Sequence, residues 1–273
     1  MPAEFEALAC HTPGMSAVRA SSKQAFPRHM HDEFGIGVIL SGAQRSASGR
    51  GPVEAGPGAL ITVNPGEIHD GIPLSETGRR WHMLYLAPAL VADLADDLQQ
   101  DRVAGSGTGQ EFTLPVLQDQ RVASTFLTLF AKVTGSTARQ DRLAVEAALL
   151  QLAARLVDSR AKTVHAGGPA ALTRAVERID SDPADPVSLA ELAQMAGLSR
   201  FQFLRAFCRQ TGLTPHAYQV QRRIQLARRL ILSGEPLATA ASSAGFADQS
   251  HMTRLFRRTL GYTPGALATA FGD

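Results

Sequence analysis

The sequence predicts an α+β protein of two domains: an N-terminal antiparallel β-barrel with following helices, and a C-terminal domain that is entirely α-helical. Short apolar runs separated by Gly and Pro fill residues 26–86, and such regular turn signals are typical of an antiparallel barrel or sandwich. From residue 119 onward, apolar residues recur at helical spacing. A chain of 273 residues is long enough for two such domains.

One pattern occurs twice in the C-terminal part of the chain. The frame Ala-x-x-x-Gly at 193–197 returns at 241–245, shifted by 48 positions. The Gly-x-Thr-Pro sequence at 212–215 returns at 261–264, shifted by 49. A solenoid needs at least about three repeats to bury its faces. Two copies therefore indicate two examples of one small helical unit.

Each unit is predicted to be a helix-turn-helix. The small Ala lets the second helix pack closely on the first, and the Gly permits the sharp turn between them. Ser188 and Glu191 form a Ser-x-x-Glu capping box for the first helix. Ser199 and Asp248 are the expected N-caps of the helices that follow the two turns.

The helix after each turn carries many cationic and amide side chains. Such a helix fits the major groove of DNA, where Arg pairs with guanine and Gln with adenine, while further Arg side chains neutralise phosphates. The alternative is two helical hairpins with ordinary solvated faces, and the repetition of the pattern favours DNA binding. The predicted DNA-contacting residues are Ser199, Arg200, Phe201, Gln202, Arg205, Arg209, Gln249, Ser250, His251, Arg254, Arg257 and Arg258.

A long helix is predicted between the two units. Thr214 caps it, Pro215 occupies its first position, and an apolar stripe from Tyr218 to Ile231 continues towards Ser233. About 19 residues at 1.5 Å each span nearly 30 Å. That is close to one turn of DNA, so the helix is long enough to hold two recognition helices in successive major-groove segments.

Residues 170–271 resemble the DNA-binding domain of the AraC/XylS family of bacterial transcription regulators, in which a long helix joins two helix-turn-helix units. The matching segments are 189–193, 197–199, 203–207, 211–215, 244–251, 253–258 and 261–265. The resemblance implies that the chain binds double-stranded DNA, that it forms a homodimer, and that RNA polymerase is a further partner.

The global properties predict a cytoplasmic protein without membrane contact. No apolar run approaches the ~20 residues of a membrane span, and the N-terminus lacks the basic region and apolar core of a signal peptide. Cys10 and Cys208 show neither a disulfide framework nor a zinc-finger spacing. The segment from residue 170 onward carries 12 Arg and 8 acidic residues. This small excess means that clustering on two helices, and not bulk charge, attracts DNA.

Residues 1–24 show no clear period and are predicted to be a short lead-in strand or loop. The segment that follows resembles the small cupin barrel found at the N-terminus of many AraC/XylS regulators. This resemblance covers roughly residues 15–90, with a strand at 81–86 closing the barrel. The motifs that carry it are Pro27, His29, His31, Gly42, the Pro57-Gly58 turn and residues 64–69.

Three histidines and a glutamate raise the question of a metal, because metal-binding cupins join an HxH pair, a following Glu and a later His. Glu33 comes only two residues after His31, whereas that pattern places the acid four or five residues later. We therefore expect no catalytic metal and no cofactor, but a pocket for a small organic effector. The expected effector-binding residues are His29, His31, Glu33, Arg45, His69, Trp81, His82 and Tyr85.

Two amphipathic helices are predicted at 119–133 and 142–157, either covering the barrel or pairing with a second subunit. Their apolar stripes are Val122, Phe126, Leu129, Phe130 and Val133 on the first, and Leu143, Ala147, Leu150, Ala154 and Val157 on the second. The chain is thus expected to contain a cupin-like effector-binding and dimerisation domain (1–165), a flexible linker (166–169) and a double helix-turn-helix DNA-binding domain (170–273).

These patterns predict a ligand-responsive transcription regulator that is not an enzyme. One alternative is a cupin-type metal-dependent oxygenase or isomerase with an accessory DNA-binding domain. Another is a purely architectural DNA binder. Stoichiometric bound metal would favour the enzyme alternative, and DNA binding that no effector changes would favour the architectural one.

Overall fold

The computed structural model describes residues 4–100, 110–135, 142–158 and 170–271. The chain divides into two compact units, Met1–Thr163 and Val164–Asp273. The first unit combines antiparallel sheets with helices and the second is helical, which confirms the predicted fold class. The expected linker at 166–169 lies outside the described residues. Within the described part of the chain, no helix has both the length and the hydropathy needed to cross a bilayer.

The strands of the first unit are β1 (Glu4–Ala9), β2 (Met15–Ser22), β3 (Phe26–His29), β4 (Phe34–Ser41), β5 (Gln44–Ser48), β6 (Gly51–Ala55), β7 (Leu60–Val63), β8 (His69–Pro73), β9 (Arg79–Leu86), β10 (Glu111–Phe112), β11 (Val116–Leu117) and β12 (Val157–Asp158). One sheet has the order β1-β2-β9-β4-β7-β11, and a second has the order β3-β8-β5-β6. The short strands β10 and β12 pair separately. The helices of this unit are α1 (Pro88–Gln100), α2 (Gln120–Thr134) and α3 (Arg142–Leu156).

Strand β9 separates the interior of the two sheets from the layer of helices, because successive side chains of a strand point to opposite faces. On one face, Trp81 contacts Phe26 of the smaller sheet at 6.2 Å between ring centroids. On the other face, Leu84 and Leu86 join the hydrophobic core shared with the helices. Gly37 on β4 makes room for the Met83 side chain, since a Cβ at position 37 would collide with the Met83 sulfur.

The helix α2 packs on the larger sheet as its sequence predicts. Asp119 caps it by accepting from the backbone N–H groups of Arg121 and Val122. The side chains expected to face inward are all buried in the core: Val122, Phe126, Leu129, Phe130 and Val133. The apolar stripe of α2 therefore covers the sheet, which is one of the two roles that the sequence left open.

The apolar stripe predicted on α3, for which the sequence left open a role on the barrel or against a second subunit, mostly does not pack on the sheet. Leu143 is 80% exposed, and Ala147 and Ala154 are also exposed. The residues that pack on the core are Val145, Leu149, Leu152, Ala153 and Leu156. Apolar residues occur on both faces of this helix, so helical periodicity alone does not decide which face packs on the sheet.

The segment 1–24 was expected to be a short lead-in strand or loop, and its described part instead contains two strands, β1 and β2. Strand β2 lies between β1 and β9 and pairs with both. Its Ser and Ala residues are mostly buried on both faces of the sheet, so the alternation of polar and apolar residues that marks a half-exposed strand does not occur.

The second unit contains α4 (Ala170–Ser181), α5 (Leu189–Met195), α6 (Arg200–Thr211), α7 (Pro215–Leu232), α8 (Leu237–Ser243), α9 (Gln249–Leu260) and α10 (Pro264–Phe271). The capping box of Ser188 and Glu191 is present, and the N-caps Ser199, Thr214 and Asp248 are confirmed. Both turns use the conformation that Gly favours, with φ of 64° at Gly197 and 78° at Gly245.

The long helix α7 contacts both helix-turn-helix units through partly buried polar side chains. Asp180 at the end of α4 accepts hydrogen bonds from the Tyr218 hydroxyl at 3.0 Å and the Arg222 Nε at 2.9 Å. The Arg223 guanidinium donates to the carbonyl oxygens of Pro183 and Ala184, and also to that of Gly245 in the second turn. One arginine therefore ties the start of the domain to its second turn.

Candidate DNA interface and ligand pocket

The helix α6, which follows the first turn, separates its side chains sharply by polarity. Phe203 and Phe207 are fully buried against the rest of the domain. Its outer face consists of exposed residues: Arg200, Phe201, Gln202, Arg205 and Arg209. Ser199 at its N-cap is exposed as well. All six residues expected from the sequence at this end of the interface are therefore accessible.

Two of these side chains are engaged at the N-terminus of the helix. The Ser199 Oγ accepts from the Gln202 backbone N–H at 3.3 Å, and the Gln202 Oε1 accepts from the Ser199 N–H at 3.1 Å. This capping box satisfies two backbone donors that the helix leaves unpaired. Bidentate pairing of Gln202 with adenine uses both its oxygen and its nitrogen, so it requires the cap to open.

The helix α9, which follows the second turn, has the same construction. Met252 and Phe256 are fully buried. Asp248 caps the helix by accepting from the His251 backbone N–H at 2.6 Å. The exposed residues are Gln249, Ser250, Arg254, Arg257 and Arg258. His251 is half-buried, because its ring packs edge-on against Phe246 at 5.7 Å.

Three equivalent positions of α6 and α9 carry the same residue: Arg205 and Arg254, Phe207 and Phe256, and Arg209 and Arg258. Each helix has 12 residues and ends at a Gly in the left-handed conformation, Gly212 or Gly261. Arg205 and Arg254 are each the sixth residue of their helix. The connecting helix α7 has 18 residues, a length of about 27 Å at 1.5 Å per residue.

In the first unit, three imidazoles converge between the sheets. His29 ends β3 and lies directly opposite His69, which begins β8. Their ring centroids are 4.4 Å apart, and the His31 ring is 5.0 Å from His29 and 5.3 Å from His69. One ring nitrogen of each lies within 4.8 Å of the others. The structure thus brings together residues 40 positions apart in the sequence.

Backbone carbonyls orient two of these rings. The His29 Nδ1 lies 2.7 Å from the Pro27 oxygen, and the His69 Nδ1 lies 3.0 Å from the Glu67 oxygen. Because a carbonyl oxygen accepts only, each Nδ1 carries the proton and donates it. Burial lowers the pKa of His29 to about 3 and also lowers the pKa of His69. Both imidazoles are therefore neutral near pH 7.

Aromatic side chains surround the three histidines. The Tyr85 ring lies 5.0 Å from that of His31. Trp81 is nearly buried among Phe5, Phe26 and the guanidinium of Arg79, which lies 4.7 Å from its ring. This environment combines apolar walls with a few placed polar groups, as small-molecule pockets do.

Three of the residues expected in the effector pocket lie apart from the histidines. Arg45 is exposed on β5. Glu33 lies in a bend before β4 and is not part of the histidine group. His82 lies on the helix-facing side of β9, where its ring stacks on Phe130 at 4.2 Å between centroids. His82 is one residue from Trp81 and three from Tyr85. Because side chains alternate along β9, the His82 side chain points to the opposite face.

A second, apolar cavity was not predicted from the sequence. It lies between the larger sheet and the helices, and its lining consists of Ile36, Leu86, Val91, Leu94, Phe112, Leu149, Leu152, Ala153 and Val157. These residues come from six separate elements, and in the sequence each has the pattern of an ordinary core residue. No local pattern in the sequence distinguishes them.

Comparison with known proteins assigns a family to each unit. Residues 12–153 match the family model of the AraC-like ligand binding domain. Residues 192–270 match that of a helix-turn-helix domain. Together these matches include the histidine group and both helix-turn-helix units.

Two relatives align along most of the chain. The HTH-type transcriptional regulator YbfI of Bacillus subtilis is 27% identical over 84% of this chain and 82% of its own length. The HTH-type transcriptional activator RhaS of Klebsiella pneumoniae is 26% identical over 89% of this chain and 87% of its own length.

Among solved structures, that of ToxT from Vibrio cholerae with a bound unsaturated fatty acid has a similar fold. The TM-score is 0.56 with 12% sequence identity, over 99% of this chain and 95% of the ToxT chain. The apo form of a ToxT variant gives the same TM-score, 0.56, over 95% of this chain.

Proposed function

Because the chain belongs to the AraC family of transcriptional regulators, we propose that α6 and α9 read two successive major-groove segments of one operator. The chain is a transcriptional regulator with an N-terminal ligand-binding domain and a C-terminal DNA-binding domain. The proposal adds which residues contact DNA, how the subunits assemble and where the ligand binds.

The observation that carries the proposal is the equivalence of the two helices after the turns. Helix α6 buries two Phe residues and α9 buries a Met and a Phe, and both helices expose Arg outward and begin at a capped N-terminus. A helix in the major groove contacts bases through residues near its N-terminal half and phosphates through the residues around them. Arg205 and Arg254 occupy the same middle position of their helices and suit guanine.

The other exposed residues have supporting roles in this proposal. Arg209, Arg257 and Arg258 lie in the last turn of their helices, where phosphate contacts fix the register of the protein on the duplex. Ser199, Arg200, Gln249 and Ser250 lie at the helix N-termini, which favour phosphate. Phe201, Gln202 and His251 complete the set of expected contacts.

Binding of the full chain to DNA tests this assignment. Specific recognition tightens binding by a factor of roughly 10³ or more over random sequence. Fluorescence anisotropy with a fragment selected for tight binding, and with a scrambled fragment of equal length, measures this ratio. The double variant Arg205→Ala/Arg254→Ala is expected to bind both fragments about equally. Arg155→Ala, an exposed arginine on α3, is the matched control and should retain the full ratio.

A small organic effector bound in the first unit is the second part of the proposal. Its expected site is the space around His29, His31 and Tyr85. A bound fatty acid in ToxT, a protein of similar fold, supports binding of a small organic ligand. Regulation requires the effector to bind one arrangement of the two units more tightly than another. In this proposal the first domain ends at 165 and the second begins at 170, and the linker 166–169 between them permits the rearrangement.

The outer face of α3 supports a homodimer. Leu143 is 80% exposed, and Ala147 and Ala154 lie on the same side of the helix. An apolar helix face in a soluble domain is typically covered by a partner, and a second copy of the chain presents the same face in a twofold dimer. RNA polymerase is a proposed partner at the promoter, and the cytoplasm is the proposed location of both.

We propose no catalytic activity for this chain. The support is the class of its relatives, which are regulators. Incubation of the full chain with candidate effectors should return each compound chemically unchanged by mass spectrometry. Turnover of any of them would favour the oxygenase or isomerase alternative.

A further inference from the structure

We propose that His29, His31 and His69 bind one divalent transition-metal ion through a ring nitrogen of each. The site lies inside the ligand-binding unit and does not depend on the proposed contacts with DNA. A metal that only holds the effector needs no catalysis, and the test for chemical turnover of the effector decides that question separately. The sequence led us to expect a metal-free pocket, because Glu33 is not spaced as the acid of metal-binding cupins is. The structure instead brings the three imidazoles together without Glu33.

The three rings converge from separate points of the chain. His29 and His69 are paired across β3 and β8, and His31 follows β3 by two residues. Their candidate ligand atoms lie within 4.8 Å of one another. An ion about 2 Å from each nitrogen holds neighbouring nitrogens about 3.3 Å apart. Closure of at most about 1.5 Å, within the reach of small χ rotations, therefore forms the site.

In two of the rings, one nitrogen is hydrogen-bonded to the backbone. The Nδ1 atoms of His29 and His69 donate to the backbone oxygens of Pro27 and Glu67. Each ring is thereby held as the tautomer whose Nε2 carries a lone pair. Metal-binding histidines almost always donate their other nitrogen in this way, which fixes the ring and raises the basicity of the ligand atom.

The composition of the site selects the class of ion. Three imidazoles suit Zn²⁺, Ni²⁺, Cu²⁺ and Fe²⁺, whereas Mg²⁺ and Ca²⁺ prefer oxygen ligands. Three protein ligands leave at least one coordination position open. No carboxylate of the described residues joins the group, so the two positive charges of the ion favour hydroxide or an anionic oxygen of a small molecule at that position.

Cobalt titration of the full chain tests this site, because Co²⁺ reports its own coordination through visible absorption bands. The chain is purified without an affinity tag, stripped with a chelator and titrated with Co²⁺ alone. We expect saturation at one ion per chain, with the bands of a low-coordinate nitrogen site, and displacement of Co²⁺ by one equivalent of Zn²⁺. Absence of a stoichiometric endpoint would overturn the proposal.

Substitutions locate the ligands. His69→Gln and His31→Gln should each abolish the stoichiometric endpoint, while His82→Gln, a histidine of the same unit outside the group, should retain it. His69 is only partly buried, so circular dichroism should show a folded His69→Gln protein even if His29→Gln does not fold. Unchanged cobalt binding in folded His69→Gln and His31→Gln would refute the assignment. Titration of the same variants with operator DNA separates this outcome from any failure of DNA binding.

Discussion

The guanidinium carbon of Arg205 lies 5.7 Å from the centre of the Phe201 ring, and Phe201 is 67% exposed. The two side chains are one helical turn apart on the outer face of α6. A cation above an aromatic face is attracted by about 0.5–1 kcal/mol at an exposed site. Phe201 therefore restricts Arg205 to the face that the proposal directs towards DNA.

Arg205→Ala should weaken specific binding by about 1–3 kcal/mol, because a bidentate contact to guanine is worth that much discrimination. Arg209→Ala, in the last turn of the same helix, should weaken specific and random binding equally and reduce the salt slope by about one phosphate contact. Anisotropy titrations at several salt concentrations measure both quantities. Equal losses on specific and random DNA for Arg205→Ala would reduce that residue to a phosphate contact.

Gly245→Ala should destabilise the second unit more than Gly197→Ala. Both positions have positive φ, which costs an L-residue roughly 1–2 kcal/mol. A Cβ at Gly245 would also lie 2.7 Å from the Ala184 carbonyl oxygen, whereas a Cβ at Gly197 meets nothing within 4 Å. The extra cost of overpacking is about 1–3 kcal/mol. Urea unfolding of the two full-length variants gives the comparison, and equal midpoints would contradict the close approach.

Leu143→Glu should convert a dimer into a folded monomer. The side chain is 80% exposed, so the charge does not enter the core of its own chain but would enter the proposed interface. Leu127→Glu, on the exposed side of α2 and 36% exposed, is the matched control and should remain dimeric. Sedimentation velocity decides between these states. A wild-type chain that stays monomeric at high concentration would remove the dimer proposal.

His82→Phe should reduce the loss of stability in mild acid. Burial first, then the charges of Arg19 and Arg80, lowers the pKa of His82. The unfolded chain thus binds a proton at this residue near pH 6.5, while the folded chain does not, and stability falls as the pH drops below that value. The Phe ring keeps the stacking on Phe130 and cannot be protonated. Urea midpoints at pH 7.5 and 5.5 should differ less for the variant than for the wild type, and an equal difference would contradict the assignment.

Local signals made the second unit predictable. Ser188, Ser199, Thr214 and Asp248 cap the helices as expected, because an N-cap depends on residues within one helical turn. Positive φ at Gly197 and Gly245 follows from the sharp turn in the same local manner.

Non-local contacts account for what was missed in the first unit. Strand β2 carries mostly small residues, whose burial depends on its pairing with β1 and β9. The face of α3 that is buried depends on which side meets the sheet, since Leu143 and Val145 are equally apolar. The meeting of His29 with His69 depends on the register of β3 and β8. The sequence identified the three histidines as candidates but did not show that their rings converge.

Selection of DNA fragments by the full chain tests directly whether α6 and α9 bind two successive major-groove segments of one operator. Two equivalent helices joined by an 18-residue helix should enrich fragments that share two short sequence segments with centres about 10 base pairs apart. Repeating the selection with Arg205→Ala should relax one segment, and with Arg254→Ala the other. Enrichment of a single segment, or of no common sequence at all, would contradict recognition of two segments by α6 and α9.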